Sequence, residues 1–178
     1  MKIISHISLA ALTAVLLTAA TGNRQVTQND LSPSAETGIQ LGGHAVTVEY
    51  NAPSVRGRQV EGGLIPYDTW YRLGADAATT ITTGADIKIG DLRVPKGAHT
   101  LFLYATKGGW KLIVNKQTKQ WGLDYDEKQD LGRVPMTLSK LPSPLEKFRI
   151  TLKATGPKTG LLTVEWNLTK AEVPVSLV

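Results

Sequence analysis

Three arginines and three acids share one short stretch of this chain. Between Ser54 and Thr80, in "SVRGRQVEGGLIPYDTWYRLGADAATT", lie Arg56, Arg58 and Arg72 with Glu61, Asp68 and Asp76. A guanidinium presents a planar fork of donors that matches a carboxylate or a phosphate bidentately. The same fork can pair inside the protein, for example Arg72 with Asp76, and pin the segment to its scaffold. Val55, Val60, Leu64, Ile65, Pro66, Tyr67, Trp70, Tyr71 and Leu73 lie between the charges. That much apolar surface must be buried, so the stretch is an ordered loop carrying its arginines. Long ordered loops in compact domains are often functional.

Other chemistries find less support. Beyond the first twenty residues only His44 and His99 remain, and there is no cysteine. A catalytic zinc site uses three protein ligands, and no short-spaced ligand pair is present. "DYDEKQD", Asp124–Asp130, has the first acidic spacing of a calcium loop. Gln129 and Pro135 then stand where the turn glycine and bidentate glutamate belong, so the pattern fails. No nucleophile elbow and no phosphate-cradling glycine loop occurs. No metal or cofactor is expected. The four tryptophans divide by context. Trp110 and Trp166 fall on strand-like runs and read as core, whereas Trp70 and Trp121 lie in loop-like segments and could offer platforms to a sugar ring.

The elements that must position these residues read as strands. Val46, Val48 and Tyr50 alternate with Thr47 and Glu49, the period of a half-buried strand. Further strand-like runs cover Thr79–Thr83, Asp86–Ile89, Thr100–Ala105, Trp110–Asn115, Arg133–Leu138, Lys147–Ala154, Leu161–Leu168 and Val173–Val178. Glycine- and proline-bearing turns separate them. No amphipathic helix of useful length follows Ala20. The expected fold is all-β: one antiparallel, jelly-roll-like β-sandwich of about eight or nine short strands carrying a long ordered loop.

The 178 residues suit a single domain. Met1–Ala20 reads as a secretory signal, with Lys2, an apolar run from Ile7 and small residues at its end. It is short for a membrane span, so none is expected after its removal. Residues 21–40 are polar and read as a disordered lead-in, with the folded domain over 41–178. A cysteine-free exported chain fits a periplasmic or secreted bacterial protein. Twenty basic residues against fifteen acidic give a net charge of +5, but they are scattered. A nucleic-acid partner, which asks for a clustered basic face, is not expected.

The arginine stretch also resembles a bacterial family, DUF2911, whose members read S-P-S-x-K/R-G-R, then G-G-L-V-P-Y, then W-R-x-G-A-N/D-E-A-T. The likeness continues through "DLRVPKGAHTLF", "WKLIVNKQTKQWG" and "YDEKQDLGRV", from about Thr47 to Trp166. Tyr71 and Ala77 depart from it, standing where the family usually has Trp and Glu. The resemblance implies an exported all-β protein and no particular reaction. It points to Arg56, Arg58, Tyr67, Arg72, Asp76, Asn115 and Trp121 as motif positions. Three readings follow: a non-enzymatic binder of a small polar, anionic or saccharide ligand; a periplasmic hydrolase using loop carboxylates with arginines; or a structural domain of the cell envelope.

Overall fold

A computed structural model describes residues 31–178. The expected leader and the first half of the lead-in lie outside the described residues. The architecture is all-β and antiparallel. β1 (Ser34–Leu41) and β2 (His44–Asn51) form a hairpin, and β3 (Thr69–Arg72) and β4 (Thr80–Thr83) follow. Next come β5 (Ile87–Ile89), β6 (Leu92–Val94), β7 (Gly97–Thr106) and β8 (Gly109–Asn115). Two long strands, β9 (Asp130–Gly156) and β10 (Thr159–Leu177), complete the chain. A 3₁₀ turn, Glu127–Gln129, precedes β9. Among the described residues no helix is long and apolar enough to cross a membrane.

The strands form one hydrogen-bonded path, β1-β2-β4-β7-β8-β9-β10-β5-β6, with β3 added on β7. That path doubles back on itself. Beyond β2 the chain runs beside β9: Ser54 pairs with Lys147, Val55 N donates to Glu146 O at 2.9 Å, and Phe148 N donates to Pro53 O at 2.8 Å. The Tyr50 hydroxyl reaches Ile150 O, and Leu152 N donates to Thr37 Oγ1. The core lies inside the curl. Val46, Val48, Leu101, Leu103, Leu112, Val114, Ile150, Val164 and Trp166 are all within 1% of complete burial.

Alternation explains each face. In β7 the odd residues Leu101, Leu103 and Ala105 enter the core. Phe102 points to the other face, where Trp70 and Tyr125 cover it at ring distances of 5.6 and 4.8 Å. The segment between β8 and β9 is therefore a second layer on that face.

Three expectations need correction. Residues 34–40 are not lead-in but most of β1. Their polar side chains are the exposed half of an alternation whose inner half, Ala35 and Ile39, packs on the core. The stretch Ser54–Thr80 is not loop throughout, since Thr69–Arg72 pairs with Phe102–Ala105. Arg133–Leu138 and Lys147–Ala154 are one strand, as are Leu161–Leu168 and Val173–Leu177.

Candidate functional site

The turn after β2 sets the arginines. Arg58 N donates to Val55 O, closing a four-residue turn whose central pair, Arg56 and Gly57, has φ of 50° and 69°. Positive φ at both central residues is the type I′ pattern. Glycine enters it freely, whereas a long side chain pays about 1–2 kcal/mol. The turn is anchored at both ends: Arg56 N donates to Glu146 Oε1 at 2.8 Å, and Arg56 Nη2 to Leu31 O at 3.0 Å. The Arg58 guanidinium gives Nε to Val55 O and Nη2 to Ser54 O. A guanidinium has five N–H donors, so these bonds leave others for a ligand.

β3 ends on Arg72, which lines the same cleft as Arg56 and Arg58. The segment after it turns at Gly74, φ 142°, and docks on β2 through Ala75 N to Asn51 O and Asn51 Nδ2 to Ala75 O. A Cβ on Gly74 would lie 2.9 Å from the Asn51 carbonyl, so only glycine allows this approach.

Together these elements enclose a cleft of about 230 Å³. Arg56, Arg58 and Arg72 all line it, with Ser54, Tyr71 and, at its floor, Trp166. The described lining residues include no aspartate or glutamate. Burial pushes the Tyr71 hydroxyl up from 10.0 to about 12, while the positive charges of Arg72 and Arg58 pull against that rise. Tyr71 therefore stays a neutral hydroxyl at ordinary pH, and it donates to Gly74 O at 3.3 Å.

The other motif residues lie elsewhere. Tyr67 packs its ring on Gly62 and the core. Asp76, 7% exposed with φ 56°, is buried, and its carbonyl accepts from Gly122 N. The Asp76 carbonyl and the Arg72 side chain both lie against Gly122. Asn115 is fully buried and does not face the cleft. Its Nδ2 donates to Asp126 O and Asp130 Oδ1, and its Oδ1 accepts from Gln117 N. It ties down the segment that covers Phe102. Trp121 is 48% exposed and is not among the residues lining the cleft. Trp70 is half-buried, with Phe102 and Tyr125 at ring distances of 5.6 and 4.9 Å.

Asp126, Glu127 and Asp130 of the acidic run Asp124–Asp130 are likewise in use. Asp126 caps the 3₁₀ turn through Lys128 N. Asp130 accepts from Tyr125 and Arg133, and Arg133 also reaches Glu127 at 2.5 Å. These carboxylates close a local network rather than a calcium loop. Of the two histidines, His44 is exposed, and His99 is buried with Nε2 2.8 Å from Pro95 O.

Sequence reasoning did not select Tyr71, Ser54 or Trp166 as cleft residues. Tyr71 and Ser54 sat in the chosen stretch, but Trp166 had the parity of core and is core as well, 1% exposed at the cleft floor.

Fold and site define an all-β protein with an arginine-lined cleft where the turn after β2 and the end of β3 meet the middle of β10. The chain matches the model of the DUF2911 family, described as protein of unknown function, over residues 32–175, and it belongs to that family. No curated protein and no solved structure matches it.

Proposed function

We propose that this is an exported binding protein for a small anion, held among Arg56, Arg58 and Arg72. One observation carries the reading: three guanidinium-bearing residues from two separate segments line one cleft whose described lining offers no carboxylate. Arginine forks bind oxyanions through charge-assisted hydrogen bonds, about twice as strong as neutral ones. The size supports a small ligand, because drug-sized molecules occupy roughly 300–1,000 Å³. Export rests on the leader-like character of Met1–Ala20.

Calorimetric titration with inorganic phosphate tests the proposal. Arg58→Gln and Arg72→Gln should each weaken phosphate binding about tenfold or more, as expected for one lost charge-assisted contact. Circular dichroism would show that both variants remain folded. Absence of phosphate binding, or equal affinity in the folded variants, would overturn the reading.

A further inference from the structure

A second cleft, of about 470 Å³, neighbours the first. The two are lined by successive residues of the same three segments. The first segment contributes Leu31 and Ser32 to the arginine cleft and Ser34–Glu36 to its neighbour. The second contributes Pro53 and Ser54 to one, and Glu49–Asn51 to the other. The third contributes Arg72, Gly74 and Ala75 to one, and Ala77, Ala78 and Thr80 to the other. Only Pro33, Ala52 and Asp76 intervene, and Ala52 N donates to Pro33 O across that ridge. From Ser54 to Asn51 is three residues, about 10 Å of extended chain.

The second cleft differs in chemistry. It presents Glu36, Glu49, Asn51, Thr80, Lys119 and Gln120. Glu36 and Glu49 are directly opposed in the β1–β2 register, an arrangement that is unfavourable between like charges. No ring stands ready to stack a base: Tyr50 turns inward onto Phe148 and gives its hydroxyl to Ile150 O. Carboxylate, amide, hydroxyl and ammonium groups without a stacking ring match a body rich in hydroxyls.

Part of the backbone strain falls on the same map. Five non-glycine residues among the described ones have positive φ: Arg56, Asp68, Asp76, Lys119 and Asn167. Arg56 lines the first cleft, Lys119 the second, and Asp76 sits between them. Strain of this kind gathers at ligand sites.

We propose that the two clefts are subsites of one extended site and that its ligand is a phosphorylated sugar. The phosphate sits among the arginines, and the sugar hydroxyls cross the ridge to Glu49, Asn51 and Lys119. This rests on the arginine cleft binding an anion, as proposed above.

The test compares inorganic phosphate, glucose and glucose-6-phosphate by calorimetry on the wild-type chain and on Glu49→Ala and Lys119→Gly. Glu49 and Lys119 are both exposed, so their replacement should leave the fold intact. The sugar phosphate should bind about tenfold or more tighter than phosphate, and each variant should reduce that ratio. Lys119→Gly should do so while melting at a higher temperature, because glycine removes the left-handed strain. Equal affinity for phosphate and sugar phosphate would overturn the extended site and leave the arginine cleft standing. A ratio unchanged in both variants would overturn it too. Failure of phosphate itself to bind would overturn the arginine reading and this one with it.

Discussion

Tyr71 shows how one residue couples the cleft to the stability of the fold. Its hydroxyl titrates at about 12 in the folded chain, against 10.0 for the unperturbed group, because burial disfavours the phenolate more than Arg72 and Arg58 favour it. Burial and the Asp130 hydrogen bond raise Tyr125 to about 12 as well. The folded state thus holds both protons more tightly than the unfolded chain. Their contribution is fully present below pH 10.0 and is lost as pH climbs toward 12. Urea denaturation followed from neutral pH into that window should show stability falling, and Tyr71→Phe should fall less steeply than wild type. An unchanged slope in Tyr71→Phe would refute the burial account. At this scale the residue types were legible: arginines in an apolar stretch announced an anion site or an ion-pair network. The fate of Asn115 was not legible, because its three hydrogen-bond partners, at 117, 126 and 130, come together only when that segment folds over Phe102.

Among elements, the contact between the segment after β3 and the segment after β8 holds Arg72 in place. Ala77 and Trp121 form a bridge there, and Gly122 N donates to Asp76 O at 2.8 Å. A Cβ on Gly122 would sit 2.6 Å from that carbonyl and 3.2 Å from Arg72 Cδ. Gly122→Ala must therefore push the two segments apart. The expected result is a loss of about 1–3 kcal/mol by chemical denaturation, the usual cost of overpacking. Phosphate affinity should fall with it, since Arg72 moves. A fully stable alanine variant with normal binding would show that this contact does not position Arg72. The long strands teach a related point. In β10 the even residues Leu162, Val164 and Trp166 face the core, and then the odd residues Ala171, Val173 and Val175 do. The register shifts on either side of Asn167, φ 51°, make that change of parity. A bulge adds a residue and re-aims the strand without breaking it. Read locally, a parity change looks like two strands with a turn between them.

For the whole molecule, β1 is the piece whose loss should matter most. It buries Leu41 completely, packs Ala35 and Ile39 on the core, and supplies the Thr37 hydroxyl to Leu152 N on β9. A chain beginning at Gly42 should lose about 5 kcal/mol or more relative to one beginning at Leu31, which rivals the entire stability of a typical domain. Near-ultraviolet circular dichroism and thermal melting would read this directly, and an unchanged melt would contradict the placement of β1. By itself the sequence determined the all-β antiparallel class, most of the strands and the stretch bearing the arginines, because alternation and residue type are local properties. Only the tertiary structure decided that Ser54 meets Lys147, that the buried Trp166 reaches the cleft and that Arg72 lines the same cleft as Arg56 and Arg58. Those pairings span long loops of chain, and their register is selected by how both partners bury their apolar faces at once.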